Sequence, residues 1–168
     1  MKVYITGTTS GLGKALLEFF PDAFSLNKPH FDLAKDISPF IKDDFDIYIN
    51  NAHYAFAQTR LLYALFEKNK HRNCHIISIG SVSSDGDRKT INQYAVEKTA
   101  LEKASSQLSL IESHCKVSLI KPGRMKTKMV KHIKGVKKMK ASEVASLVNF
   151  VASQPRHLNV KNITLDSH

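Results

Sequence analysis

The stretch Lys2-Val3-Tyr4-Ile5-Thr6-Gly7-Thr8-Thr9-Ser10-Gly11-Leu12-Gly13, followed by Lys14-Ala15-Leu16-Leu17-Glu18-Phe19-Phe20, decides how the rest of this 168-residue chain is read. Residues 2–6 are a β-branched and aromatic run, the composition of a short strand. Three glycines then punctuate a turn, and a helical run follows. In that order, strand, glycine turn and helix let the backbone come close to a pyrophosphate, whose charge suits the free N–H groups at the helix start. The spacing is T-G-x-x-x-G-x-G rather than G-x-G-x-x-G. Alone, such a turn can be only a tight connection, so the remaining segments must carry the reading.

They continue the alternation. Residues 23–26 read as a second strand ending at Asn27-Lys28-Pro29. In a dinucleotide fold this strand end chooses the cofactor: an acid accepts from the ribose 2′-hydroxyl, a cation accommodates a 2′-phosphate. No acid stands there, so Lys28 with Asn27 favours NADP(H) over NAD(H), against the alternative of an ordinary surface lysine. Residues 31–36 follow too closely for a crossover helix, which needs a dozen or so residues; one strand–helix unit is expected to be missing. Asp32 and Leu33 either flank the adenine or, for Asp32, cap the turn beginning at Ile37. Residues 45–52 form the next strand, whose polar end, Asn50-Asn51-Ala52, either carries the ribose region or simply terminates the strand. A helix over 53–69 follows, with Leu61, Leu62, Leu65 and Phe66 as its buried stripe and His53 as a polar cap rather than a base. Residues 74–79 make a strand, 81–87 a turn-rich loop, and 90–113 a long helix with Val96, Ala100, Leu101, Ala104, Leu108 and Ile111 facing the core. A strand at 117–120 ends at Pro122-Gly123, a helix opens at Ser142-Glu143 with Val144, Leu147, Val148 and Val151 inward, and 160–165 is the last strand. The expected fold is α/β: a Rossmann-type doubly wound parallel sheet of about six strands in a single domain, 1–168.

Composition narrows the function. No apolar run approaches a membrane span, and the first residues are too soon interrupted for a signal peptide, so a cytoplasmic protein is expected. Cys74 and Cys115 open two strands and are expected to be reduced, packed thiols; no metal is called for. The net charge of +10 is partly local: Arg124, Lys126, Lys128, Lys131, Lys134, Lys137, Lys138 and Lys140 have no acidic residue among them. That run is either a solvated lid or an aid to binding an anionic substrate or cofactor phosphates. Nucleic acid is disfavoured, since the lysines lack interleaved aromatics.

Chemistry concentrates in Tyr94-Ala95-Val96-Glu97-Lys98. Residues four apart share a helix face, so a phenol and an ammonium point into one site. A nearby positive charge favours phenolate and would lower the tyrosine pKa toward neutrality, making it a usable general acid. Ser81, at the end of a buried strand, can orient a carbonyl. The plainer alternative is a half-buried ring beside a solvated charge.

In order, Thr6 to Gly13, Asn50-Asn51-Ala52-His53, Ser81, Tyr94 to Lys98 and Pro122-Gly123-Arg124-Met125-Lys126-Thr127 resemble the signature of the short-chain dehydrogenase/reductase family, in a compact, trimmed form. The resemblance implies hydride transfer between nicotinamide and a carbonyl or alcohol on a small-molecule substrate. Tyr94 would be the acid/base, Lys98 would lower its pKa and hold the nicotinamide ribose, and Ser81 would bind the substrate oxygen. Gly7, Thr9, Ser10, Gly11, Leu12 and Gly13 would surround the pyrophosphate, and Met125 and Thr127, in the loop opened by Pro122 and Gly123, would meet the carboxamide. His53 departs from the motif's glycine. The short segment between Asn51 and Ser81 leaves no counterpart for the family's fourth catalytic residue, an asparagine, and Asn51 is the candidate for that role. A homo-oligomer is expected, as is common in the family. The rival readings are an NADP(H)-binding protein with little or no activity and a nucleotide-sugar epimerase or dehydratase, for which the chain after Pro122 is short.

Overall fold

A computed structural model describes residues 1–86, 90–126 and 137–167. Six strands pair in one all-parallel sheet: β1 (Val3–Thr6), β2 (Phe24–Leu26), β3 (Ile47–Asn50), β4 (Cys74–Ile79), β5 (Cys115–Pro122) and β6 (Asn162–Leu165), in the order β2-β1-β3-β4-β5-β6. Among the described residues four α-helices cover it: α1 (Gly11–Leu16), α2 (Ala57–Asn69), α3 (Gln93–Leu108) and α4 (Ala141–Ala152). The strands alternate apolar side chains between two buried faces, as a sheet covered on both sides must. Val3, Ile5, Ile47, Ile49, Ile77 and Ile79 meet α1 and α4, while Tyr4, Tyr48, Ile76 and Val117 meet α2 and α3.

The chain reverses direction across the sheet at β1, with β2 on one side and β3 on the other. Residues 31–36 form no strand, and only a short 3-10 turn, Ser38–Phe40, lies between β2 and β3. Aromatic side chains stand in for the absent helix. Phe40 is buried under that turn, Phe31 packs edge-on against it, and the Tyr48 hydroxyl donates to the Phe40 carbonyl at 2.9 Å. Leu33 joins the same core.

The buried stripes of α2 and α4 fall as expected, apart from Leu147, which is half-buried while Ala145 is fully inside. The stripe of α3 does not. Val96 is 59% exposed and Ile111, beyond the helix end, is exposed too, whereas Glu97, Lys98 and Ser105 are buried with Leu101, Ala104 and Leu108. Apolar periodicity misplaces the face because charged groups occupy the core-facing side of the first turns. Cys74 and Cys115 are direct neighbours in the β4–β5 register, both buried and free.

Candidate active site

The C-terminal ends of β1, β3, β4 and β5 border a cleft of about 1010 Å³, at the upper end of the range typical of ligand pockets, about 300–1,000 Å³. Gly7, Ser10, Gly11, Leu12 and Gly13 form one wall. Gly7 has φ +73°, and a Cβ at Gly13 would lie 1.9 Å from the Gly7 carbonyl oxygen. The turn therefore closes on itself as only glycine allows, leaving bare backbone facing the cleft. It is pinned from both sides. Thr6 Oγ1 accepts from the backbone N–H groups of Asn51 and Ala52 at 2.9 and 2.8 Å, and Asn51 Nδ2 donates to the Thr6 and Gly7 carbonyls. Asn27 Oδ1 accepts from the Thr8 N–H, and its amide donates to Thr8 Oγ1, each at 2.7 Å.

Asn27 is thus engaged in holding the turn rather than free for a ligand. Lys28, at the end of β2, is 71% exposed and pairs with Asp32 at 3.1 Å. The sequence puts no acid at this strand end; the fold brings one there. Asp32 also accepts from the Ala34 N–H, which with Lys28 holds its carboxyl below the usual range. Leu33 points into the core, Asn50 is fully buried, and Thr9 is exposed outside the cleft wall. Asn51 and Ala52 line the cleft.

Ser81, Tyr94 and Lys98 meet on the opposite wall. Ser81 ends the exit from β4, and its hydroxyl accepts from the Ser83 N–H at 3.1 Å. Asn92 caps α3 by accepting from the Ala95 N–H, which places Tyr94 in the first turn and Lys98 one turn on. Lys98 is 3% exposed. Its Nζ donates to Gln58 Oε1 at 2.7 Å and to the Ile79 carbonyl at 2.9 Å, and lies 5.6 Å from the Tyr94 ring centre. Burial without a hydrogen-bonded carboxylate lowers its pKa to about 7, against an upward pull from Glu97. Tyr94 is raised, mainly by burial, with the Ser81 hydroxyl opposing and Glu97 reinforcing the shift. Burial sets the direction for Tyr94 here, and Lys98 is not among the groups that shift it.

Asn51, the candidate for the fourth catalytic role, lines the cleft with its amide held by the Thr6 and Gly7 carbonyls. The side chain that accepts from Lys98 is Gln58, whose Nε2 donates to the Asn50 and Ile79 carbonyls. His53 caps no helix, since α2 starts at Ala57; its Nε2 lies 2.9 Å from Glu97 Oε2, and its ring meets Tyr94 edge-on at 4.9 Å. Gln58 and Glu97 went unread in the sequence. The one available signal was that Glu97 lies inside the Tyr94–Lys98 stretch. On the third wall stand Pro122, Gly123, Met125, Lys126 and Lys138; Thr127 lies outside the described residues.

With this geometry in place, comparison with known proteins is decisive for the fold. A serine dehydrogenase from Escherichia coli superposes with TM-score 0.69 at 20% identity, over 98% of this chain and 97% of that one. An alcohol dehydrogenase from the archaeon Thermococcus sibiricus, complexed with 5-hydroxy-NADP, gives 0.76 at 17% identity over 98% and 96%. A 3-ketoacyl-(acyl-carrier-protein) reductase from Brucella melitensis, complexed with NADH, gives 0.77 at 17% over 98% and 96%. The chain has the short-chain dehydrogenase/reductase fold. In sequence, an uncharacterized oxidoreductase of Staphylococcus epidermidis is 32% identical over 100 residues, 57% of this chain and 44% of that protein. One from Staphylococcus aureus is 26% identical over 139 residues, 79% and 59%. The chain thus spans about half the length of the curated relatives it matches. No protein-family profile matches it. Among the described residues, no helix is long and apolar enough to cross a membrane.

Proposed function

We propose that the chain is an NADP(H)-dependent oxidoreductase of the short-chain dehydrogenase/reductase family, interconverting a carbonyl and an alcohol. The observation that carries this reading is the convergence of a glycine turn with bare backbone and the Ser81, Tyr94 and Lys98 side chains on one cleft. The residues present fit a dinucleotide: Gly7, Ser10, Gly11, Leu12 and Gly13 would border the pyrophosphate, Asn51 and Ala52 the ribose region, and Met125 the carboxamide. When bound, the nicotinamide supplies or accepts the hydride. Ser81 orients the substrate oxygen, Tyr94 gives or takes the proton at that oxygen, and Lys98 holds the nicotinamide ribose through its Nζ donors. Gln58 fixes Lys98 for that task.

Lys28 supports NADP(H), offering an exposed cation to a 2′-phosphate, with Asp32 able to swing the balance toward NAD(H). Lys126 and Lys138 on the third wall suit an anionic substrate. The exposed apolar residues Ile91 and Val96, at the start of α3 and on its outer face, suit a homo-oligomer, and two free buried cysteines suit the reducing cytoplasm. A second reading, a nucleotide-binding protein with little turnover, is favoured by the missing strand–helix unit between β2 and β3.

Titration with NADPH and NADH, followed by nicotinamide fluorescence, tests the reading. NADPH is expected to bind more tightly, and Lys28→Ala to weaken it about tenfold. Among carbonyl substrates, Tyr94→Phe should lower turnover by about 10²–10⁴-fold. A folded protein that binds neither nucleotide refutes the reading; one that binds NADPH with equal turnover in Tyr94→Phe leaves only the binding role.

A further inference from the structure

Between Tyr94 and Lys98, α3 carries a carboxylate whose burial the roles above do not explain. Glu97 is 6% exposed; its Oε2 accepts from His53 Nε2 at 2.9 Å and its Oε1 from Gln93 Nε2 at 2.8 Å. A buried carboxylate persists only where its lost hydration is compensated. Neither partner brings a full charge at neutral pH: Gln93 is an amide, and burial with Lys98 nearby lowers the His53 pKa, against raising contributions from Glu97 and Gln58. The cation beside this carboxylate is Lys98, whose Nζ touches neutral oxygens only, those of Gln58 and Ile79.

The groups facing one another here are Tyr94, Glu97 and Lys98 from α3, His53 from the loop after β3, the Gln58 amide from α2 and the Ser81 hydroxyl from the loop after β4; Lys126 and Lys138 stand across the cleft. Negative charge at Glu97 favours the protonated form of both Tyr94 and Lys98. His53 and Gln93 fix where that charge sits, and His53 also braces the Tyr94 ring.

We propose that Glu97, held by His53 and Gln93, is a buried counter-ion that raises the proton affinity of Tyr94 and Lys98, so that carbonyl reduction stays supplied with protons to a higher pH than it would without this carboxylate. The proposal rests on the oxidoreductase reading. In reduction the carbonyl carbon would take up the hydride, with its electron pair, that a bound reduced nicotinamide would supply while itself being oxidised. The π pair of the C=O bond forms the new O–H bond with the proton from Tyr94, and the resulting phenolate is reprotonated from solvent by way of Lys98. Oxidation runs the other way and needs Tyr94 to arrive as phenolate, the form Glu97 disfavours. Glu97 and His53 are positioning residues; they need not touch the reacting atoms.

The test is direct titration of Tyr94 and Lys98 by isotope-edited NMR in the wild type and in Glu97→Gln, with signals assigned by their loss in Tyr94→Phe and Lys98→Arg. Both midpoints are expected to fall in Glu97→Gln, each by about a tenfold loss of proton affinity, and the pH profile of reduction to move down with them. Unchanged midpoints in a folded Glu97→Gln variant overturn the proposal. So does a Glu97 carboxyl that carries a proton at neutral pH in the wild type, a measurement that needs no variant. NADPH binding is followed in parallel: a wild type that binds no dinucleotide removes the underlying reading, and is told apart because the midpoints would still move.

Discussion

Two buried lysines, one near the start of α3 and the other near the end of β5, live under opposite rules. Lys98, 3% exposed, donates to an amide oxygen and a backbone carbonyl. Lys121, 4% exposed on β5, is hydrogen-bonded to two carboxylates, Asp85 and, at 2.9 Å, Glu102. Burial depresses both, but the carboxylates more than offset it for Lys121, whose pKa is raised, while Lys98 falls to about 7. The paired lysine fastens the loop behind Ser81 to α3, helped by Ser84 Oγ donating to Glu102 at 2.5 Å. The unpaired one lines the cleft. A buried charge with its counter-ion in hydrogen-bond contact is architecture; one without is available for chemistry.

The largest expected break in this comparison is in stability. Lys121→Met should lose about 2–4 kcal/mol, because two carboxylates are left without their cation. Lys98→Met should change stability little or raise it by about 1–2 kcal/mol, since it removes a desolvated ammonium; urea unfolding of both variants checks the signs.

Next comes pH. His75 on β4 is buried, with its Nε2 2.7 Å from Ser118 Oγ, and burial lowers its pKa to about 3, yet it lies away from the cleft. Its folded pKa is below the unfolded value of about 6.5, so the unfolded chain binds the extra proton between those limits and stability falls as pH drops. By pH 5 the loss should be about 2 kcal/mol, and His75→Asn should abolish that slope. For Lys98 the window is about 7 to 10.5: the unfolded chain again binds more protons, so stability rises with pH there, and Lys98→Met should flatten the rise. Unfolding midpoints at pH 5, 7 and 9 would check both.

The smallest expected effect is at Gln58. Gln58→Leu deprives Lys98 of its side-chain acceptor and should weaken NADPH binding by about tenfold, or about 1.4 kcal/mol, with the fold intact. Unaltered affinity would mean that the Ile79 carbonyl suffices to place the ammonium.

The fold was legible because every strand but β2, which is Phe-Ser-Leu, carries β-branched residues, and strand and helix signals alternate along the chain. The closeness of residues 31–36 to the strand at 23–26 pointed to a missing helix. What stayed hidden was polar burial. A stripe drawn through Val96 and Ala100 obeys apolar periodicity, but Glu97 and Lys98 turn inward because each finds partners on other elements, His53 and Gln58, which spacing along one helix cannot reveal. The bonds that hold the Asn51 amide to the Thr6 and Gly7 carbonyls likewise exist only in three dimensions. The acid beside Lys28 arrives from four residues on, by the path of a turn.

The tapering of the sheet has a bearing on how this molecule keeps company. Its outermost strands, β2 and β6, have three and four residues, against eight in β5. So short an unpaired ladder offers a stray extended chain few N–H and C=O groups to zip onto, which blunts the tendency of open sheets to grow into aggregates. On one side the margin of the sheet is β2, a strand too small to become a template.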